Sequence, residues 1–199
     1  MPFLKKGGFI GQIDVNTIVS GEDGSPYALE FTPRPGYDAT PTLTLGLPGY
    51  GEAVARALKI PSGGGNVPSD QRSLVEGADR PWLYLTAIRT YLPPYPFEST
   101  DEKLNREVYK ATAGVEIQGW TPEQRRVLLV DAAQVDGKIV TAGTYSVPLI
   151  ALGHGASIDE AVADNFKHLG EVKVANLCHR TDLGRRAKKA WPIIEPLLR

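Results

Sequence analysis

The first hydrophobic and polar pattern in the chain consists of two alternating runs, and it predicts a β-hairpin. Residues 9–20 are rich in β-branched side chains, and residues 28–32 alternate between apolar and polar positions. The segment between them, residues 22–26, reads Glu-Asp-Gly-Ser-Pro, which is typical of a turn. Because successive side chains on a strand point to opposite faces, we expect Ala28, Glu30 and Thr32 together on one face of this hairpin.

A turn centred near Asp23 sets the register of the hairpin and the composition of that face. Glu30 then lies opposite Asn16. The neighbouring cross-strand pair is Thr32 and Asp14, so one face carries two carboxylates, amide groups and a hydroxyl. From the pattern alone two interpretations stay open. The face is either the solvated side of an ordinary hairpin or a Mg²⁺–phosphate site, because Mg²⁺ binds carboxylate oxygens together with substrate phosphates.

The region after the hairpin contains the strongest chain breakers in the sequence. Residues 41–51 contain three glycines, and residues 50–60 have the spacing of a short amphipathic helix. Residues 61–69, Pro-Ser-Gly-Gly-Gly-Asn-Val-Pro-Ser, have the composition of a mobile linker. The predicted organisation is a first domain over residues 1–60, a flexible Gly/Pro linker over 61–80 and a second domain over 81–199.

The second domain has the pattern of short strands with helices set to one side, which is the α+β class. Strands are predicted over residues 81–89, 115–118, 127–131, 139–142 and 145–152. Asp136-Gly137 is a hairpin signal. Ser157 and Glu160 form a capping box at the start of a helix that ends at Gly170. A final helix is predicted to start with residues 182–189, and its tail is predicted to be short or kinked because of Pro192 and Pro196.

Charge and cysteine content narrow the functional classes. The 199 residues include 22 Lys and Arg against 23 Asp and Glu, and a net charge of -1 argues against nucleic-acid binding. No apolar run is long enough for a membrane span, and the first residues lack the apolar core of a signal peptide. A single cysteine, Cys178, excludes an internal disulfide. We expect a cytoplasmic protein with no nucleic-acid and no membrane partner.

Other catalytic patterns have little support in the sequence. The three histidines, His154, His168 and His179, lack zinc-ligand spacing, and no Gly-x-Ser-x-Gly elbow occurs. His154 is expected in a strand-to-helix turn, with a capping or surface role. Cys178 and His179 are adjacent and point to opposite faces of a strand, which argues against a catalytic pair.

Residues 24–36, Gly-Ser-Pro-Tyr-Ala-Leu-Glu-Phe-Thr-Pro-Arg-Pro-Gly, carry a family resemblance. They resemble the segment that closes the nucleotide site of glycinamide ribonucleotide synthetases (phosphoribosylamine–glycine ligases, ATP-grasp enzymes), where the pattern is Glu-Phe-Asn-x-Arg-x-Gly-Asp. The similarity resumes in the same order over residues 136–143, 151–153 and 178–187, which resemble that family's C-terminal domain. The fold that this implies is the end of an ATP-grasp core, an antiparallel hairpin plus a helix, followed by a small antiparallel sheet domain with helices on one side.

The resemblance also implies site residues, with Mg²⁺ and ATP as cofactors. It assigns Glu30 as a Mg²⁺ ligand, Arg34 as a catalytic phosphate contact, and Thr32 as part of the same cofactor site. Thr32 stands where the family has Asn as a second metal ligand, and Tyr37 stands where it has Asp. Both departures bear on metal affinity and on the substrate. From the residues alone, Arg34 could equally hold the turn after Pro33 by binding backbone carbonyls.

Three functional hypotheses follow, because no counterpart of the family's Gly-rich, lysine-bearing ATP-binding half or of its N-terminal domain is found in the sequence. The first is the C-terminal part of an ATP-dependent C–N ligase, inactive alone. Its partner would be the missing N-terminal ATP-grasp half or a separate subunit that carries it, and its substrates a small-molecule amine and a carboxylate. The alternative is a non-catalytic, ATP-grasp-derived binding or assembly subunit. The third is a standalone small-molecule binding domain.

Overall fold

The structure, a computed structural model, describes residues 6–8, 13–34, 36, 38–46, 50, 54, 84–95 and 99–198. The chain divides into two compact units: unit 1 comprises residues 1–80 with 195–199, and unit 2 comprises residues 81–194. The predicted linker over 61–80 and most of the predicted helix before it lie outside the described residues. No helix within the described ranges is both long and apolar enough to cross a membrane.

Unit 1 contains the predicted hairpin. Strand β1 (Asp14–Val19) pairs antiparallel with β2 (Pro26–Thr32), and the pairs Asn16–Glu30 and Asp14–Thr32 confirm the expected register. The connecting turn is stabilised by Asp23, whose carboxylate accepts hydrogen bonds from the Ser25 hydroxyl at 2.6 Å and the Ser25 N–H at 3.0 Å. These bonds lower the pKa of Asp23 to about 2.

One feature of the hairpin departs from the predicted pattern. The register shifts between Asn16 and Thr17, where β2 contains one extra residue. Thr17 therefore pairs with Ala28, and Ile18 pairs with Tyr27. Because cross-strand partners share a face, the bulge moves Ala28 to the face opposite Glu30 and brings Tyr27 to the Glu30 face. The prediction that Ala28 shares a face with Glu30 is wrong for this reason.

The stretch after the hairpin contains a helix that is absent from the predicted elements. Helix α1 (Ala39–Gly46) overlaps the first part of the glycine-containing segment 41–51. Pro41 lies in its first turn, where the missing N–H has no intrahelical partner to lose. The hydroxyl of Thr44 donates to the Thr40 carbonyl at 2.8 Å, and that of Thr42 donates to the Asp38 carbonyl. Both threonines thus satisfy their hydroxyls within the helix backbone.

Unit 2 is a mixed α/β structure of small antiparallel sheets. Its strands are β3 (Tyr84–Tyr91), β4 (Ile117–Gln118), β5 (Val127–Leu129), β6 (Ala132–Val135), β7 (Lys138–Thr141), β8 (Leu149–Gly155), β9 (Lys173–Val174) and β10 (Cys178–His179). A four-stranded sheet has the order β10-β3-β8-β5, and β4-β9 and β6-β7 form two-stranded ribbons. Its helices are α2 (Glu102–Lys110), α3 (Ile158–Leu169) and α4 (Arg185–Ile194). A 3₁₀ helix (Glu195–Leu198) follows α4.

The core of unit 2 forms where α3 packs on the central strand β8. Leu149 and Ala151 of β8 are fully buried. A Cβ at Gly153 would overlap the carbonyl oxygen of Ala161 and lie 2.5 Å from the backbone nitrogen of Asn165. The buried Asn165 donates from Nδ2 to the Ala151 carbonyl at 3.0 Å. Glycine at position 153 therefore lets the helix backbone approach the strand closely.

Local signals in unit 2 give the structure that the sequence predicts. Asp136 and Gly137, both with positive φ, form the turn between β6 and β7. The Ser157 hydroxyl caps α3 by accepting from the Glu160 N–H at 3.2 Å. The Glu160 carboxylate reaches back to the Ala156 N–H at 2.9 Å, one residue earlier than the usual capping box.

Three elements of unit 2 differ from the prediction. Helix α2 is absent from the predicted elements, although Asp101 caps it by accepting from the N–H groups of residues 103 and 104. Strand β8 begins at Leu149 and not at residue 145, and it extends through His154, which was expected in a turn. Helix α4 begins at Arg185 and continues past Pro192 to its end at Ile194.

Candidate functional site

The polar face of the hairpin brings together two of the predicted site residues. Asn16 donates from Nδ2 to Glu30 Oε1 at 3.1 Å and to Thr32 Oγ1 at 3.3 Å. The Thr32 hydroxyl in turn donates to Glu30 Oε1 at 3.4 Å. Glu30 is exposed and Thr32 is partly exposed. The three side chains therefore form a connected polar cluster with solvent access, in which Glu30 acts as the shared acceptor.

The third predicted site residue, Arg34, lies just beyond this cluster. Its backbone N–H donates to the Thr32 carbonyl at 2.9 Å, which starts a tight turn at the end of β2. After this turn the chain comes close to β1. A Cβ at Gly36 would lie 3.0 Å from Asp14 Oδ2 and 3.0 Å from the Ala39 Cβ. Glycine at position 36 thus allows the loop to contact the Asp14 carboxylate. The Arg34 side chain is exposed.

The donor set of this face suits a metal that is bound mainly through a phosphate. Within the described ranges no group of three His, Cys, Asp or Glu residues could hold a metal ion by itself. Mg²⁺ in nucleotide sites, however, is commonly bound by one or two carboxylates plus phosphate oxygens and water. Glu30 supplies an exposed carboxylate, and the hydroxyl of Thr32 is a second oxygen close to it. The residues therefore fit a phosphate-bridged Mg²⁺ better than an ion held by protein ligands alone.

The opposite face of the hairpin, formed by Val15, Thr17, Val19, Ala28 and Phe31, is exposed and is apolar except for Thr17. Val15 is 51% exposed, and its cross-strand partner Phe31 is 57% exposed. Val19 is also 57% exposed. An isolated two-stranded hairpin is marginally stable in water, and such ribbons normally bury one face against another element. We call this surface the apolar hairpin face.

A second charged cluster, in unit 2, was not predicted from the sequence. Arg126 contacts Asp164 Oδ2 at 3.4 Å and His154 Nε2 at 2.6 Å. The same carboxylate accepts from the His154 backbone N–H at 3.0 Å and lies 3.4 Å from His168 Nε2. Burial on its own raises the pKa of Asp164, but this hydrogen bond and the charges of Arg126 and both histidines lower it below its ordinary value.

The sequence carried a signal for only part of this cluster. Asp164 and His168 are four residues apart on one helix and are therefore neighbours on its surface. Arg126 and His154 come from other elements, and their approach depends on the tertiary fold. The cluster contains no nucleophile and no three-ligand metal group among the described residues. Its contacts connect the segment before β5, the end of β8 and α3, which indicates a structural role.

Asp131 is a second unpredicted charged residue, and it is only 4% exposed. Its carboxylate accepts from the N–H groups of Thr144, Tyr145 and Ser146 at 2.8 to 3.0 Å, and from the Thr144 hydroxyl. Burial on its own raises the pKa of Asp131, but these hydrogen bonds together lower it below the ordinary value. These hydrogen bonds to three successive N–H groups hold residues 144–146 in a loop. Strand β8 therefore begins only at Leu149.

Comparison with known proteins identifies the fold. No family model matches the chain, and no curated protein sequence matches it. A solved structure, that of phosphoribosylamine–glycine ligase from Thermotoga maritima, matches with a TM-score of 0.55 and 22% sequence identity. The match covers 85% of this chain and 36% of that one, so the chain spans about a third of the ligase's length. The fold of this chain is therefore similar to that of one part of a phosphoribosylamine–glycine ligase.

Proposed function

We propose that this chain is the C-terminal portion of an ATP-dependent C–N ligase related to phosphoribosylamine–glycine ligase. In such a reaction the γ-phosphoryl group of ATP passes to a substrate carboxylate, and ADP leaves. An amine then attacks the acyl phosphate, forms the C–N bond and displaces inorganic phosphate. The observation that carries the proposal is the polar cluster of Asn16, Glu30 and Thr32, with Arg34 two residues beyond it, in the segment that resembles the family's nucleotide site.

The roles of these residues follow from their chemistry. Arg34 is suited to donate paired hydrogen bonds to phosphate oxygens and to offset their negative charge. Glu30 and Thr32 would hold Mg²⁺, which when bound neutralises phosphate charge. Asn16 binds both Glu30 and Thr32, and it therefore restricts the rotamers of the two side chains that would face the metal. This arrangement positions the phosphates but offers no group that would hold the nucleoside.

A partner polypeptide is part of the proposal, and the apolar hairpin face supports it. Covering Val15, Val19 and Phe31 would remove from water three side chains that are 51–57% exposed. Burial of apolar surface yields about 25 cal/mol per Å², which makes such a face a favourable contact for another β element. We propose that the polypeptide which completes the ATP site, whether joined to this chain or separate, covers this face. The substrates of the completed ligase would be a small-molecule amine and a carboxylate.

A second candidate function has specific support. Thr32 and Tyr37 replace the Asn and Asp of the family pattern. These observations favour a non-catalytic binding or assembly subunit that keeps the fold. The two candidates share the apolar hairpin face as a contact surface and differ only in whether the polar face binds Mg-ATP.

Isothermal titration with Mg-ATP separates these candidates. The chain is titrated alone and together with a polypeptide that carries a Gly-rich, lysine-bearing ATP-binding segment, such as the N-terminal part of a phosphoribosylamine–glycine ligase. We expect nucleotide binding with the mixture, and Glu30→Gln should weaken it by on the order of tenfold or more, because a metal ligand loses its charge. Glu22→Gln in the exposed hairpin turn is the matched control and should bind as wild type.

The stability readout separates a ligand role from a structural one. Because Glu30 is exposed, its bonds to Asn16 and Thr32 contribute only about 0.5–1 kcal/mol, and Glu30→Gln should leave the melting temperature within a few degrees of wild type. Loss of binding with an unchanged melting temperature supports the ligase. If neither the chain alone nor the mixture binds nucleotide, the ligase proposal is refuted for this polypeptide and the assembly subunit remains.

A further inference from the structure

A cavity of about 570 Å³ is lined entirely by residues of unit 2. It opens between the C-terminal turn of α3, the β4-β9 ribbon and strand β10. Its volume falls within the range of small-molecule sites, which is about 300–1,000 Å³. Glu30, Thr32 and Arg34 do not line it. The cavity is therefore formed by other residues than the proposed nucleotide site.

The floor of the cavity is apolar and belongs to the core of unit 2. Leu169 and Val172 line it, and each is only 5% exposed. The Phe166 ring forms another wall and contacts the His179 ring at a centroid distance of 5.7 Å. His179 is held in place because its Nδ1 lies 3.1 Å from the Arg180 carbonyl, an acceptor that requires the proton on Nδ1. These fixed side chains offer a preformed surface for an apolar group.

The lining of the cavity contains one lysine, Lys173, and one carboxylate, Glu116. Lys173 pairs across the ribbon with Gln118, so both side chains lie on one face of it, and both residues line the cavity. The one carboxylate of the lining, Glu116, is engaged by Lys138 at 3.1 Å. Lys173, by contrast, forms no ion pair with any residue that the structure describes. The cavity is therefore lined both by an apolar floor and by a lysine that has no ion pair among the described residues.

We propose that this cavity binds a small organic carboxylate with an apolar body. The carboxylate pairs with the Lys173 ammonium, and the apolar body lies on Leu169, Val172 and Phe166. Charge complementarity favours an anion over an organic cation, because the one carboxylate of the lining already has a partner. A fully apolar ligand would use the floor alone and leave the Lys173 ammonium without a counter-ion.

The test is a ¹H–¹⁵N NMR titration of the full chain with 3-phenylpropionate, with 3-phenylpropanol as the neutral match. We expect saturable shift changes confined to residues 115–118 and 166–179, and at least a fivefold weaker affinity for the alcohol. Lys173→Met should weaken carboxylate binding by on the order of tenfold, because it removes a charge-assisted hydrogen bond. Lys103→Met, on the exposed face of α2, is the matched control and should bind as wild type.

A second variant tests whether the cavity itself is the site. Ala175→Trp places an indole at an exposed lining position, where the core need not repack, and it should abolish binding while the protein stays folded. The proposal is overturned by any of three results. These are the absence of saturable shifts at millimolar carboxylate, equal binding of acid and alcohol, or shifts that centre on the hairpin residues 14–32.

Discussion

The buried carboxylate of Asp131 gives the sharpest stability prediction. It accepts from three successive backbone N–H groups and from the Thr144 hydroxyl. Asp131→Asn keeps the shape but has one acceptor oxygen and no charge. When the side-chain oxygen of the asparagine accepts from Tyr145 and Ser146, its NH₂ group faces the N–H and hydroxyl of Thr144. These groups are all donors, so no hydrogen bond forms between them. Charge-assisted hydrogen bonds contribute about 1.5–3 kcal/mol each and neutral ones about 0.5–1.5 kcal/mol, so the substitution should cost about 2–3 kcal/mol.

The pH dependence gives an independent check of the same reasoning. The folded-state pKa of Asp131 is lowered, so its contribution to the free energy of unfolding is complete above the ordinary pKa of an aspartate, about 3.9. As the pH falls below that value, the unfolded chain binds the proton first and the contribution is lost. The free energies of unfolding of wild type and Asp131→Asn should therefore converge below about pH 4.

Urea unfolding followed by circular dichroism at pH 7 and at pH 3 measures both effects. Asp136→Asn is the matched control, because Asp136 is exposed and its φ of 49° is tolerated by asparagine. It should change the free energy of unfolding by no more than about 0.5 kcal/mol. The reasoning is refuted if the two variants lose equal stability at pH 7, or if the loss in Asp131→Asn persists undiminished at pH 3.

Two further substitutions test the packing of unit 2. Gly153→Ala should destabilise the protein by about 2–4 kcal/mol in thermal unfolding, because the added methyl group would overlap the Ala161 carbonyl. The control Gly21→Ala has open space around the added methyl group, and its stability should stay close to that of wild type. Asp164→Asn should cost about 1–2 kcal/mol at pH 7 by weakening the contact with Arg126. That difference should also shrink below about pH 4 in urea unfolding, since the folded-state pKa of Asp164 is lowered; a pH-independent loss would contradict the assigned role.

Glu30 illustrates how far local pattern predicts a candidate site. Alternation and the position of the turn were sufficient to place Glu30 opposite Asn16, because hairpin register depends on residues that are close in sequence. The bulge that moves Ala28 to the other face left no comparable signal. The metal and phosphate roles of Glu30, Thr32 and Arg34 remain predictions, since they depend on a ligand and not on the hairpin geometry.

The sequence by itself determined the elements whose causes are local: the hairpin register, the Asp136-Gly137 turn and the Ser157 cap of α3. In each case a few neighbouring residues make the hydrogen bonds that define the element. Only the tertiary structure decided where Asp131 finds its donors 13 to 15 residues away, and how Arg126 meets His154 and Asp164. The cavity near Lys173 likewise arises from two segments that are far apart in sequence, residues 115–118 and 166–179. Such contacts depend on how the helices and strands pack against each other. The hydrophobic periodicity of the chain predicts single elements and does not predict which side chains of two elements come into contact.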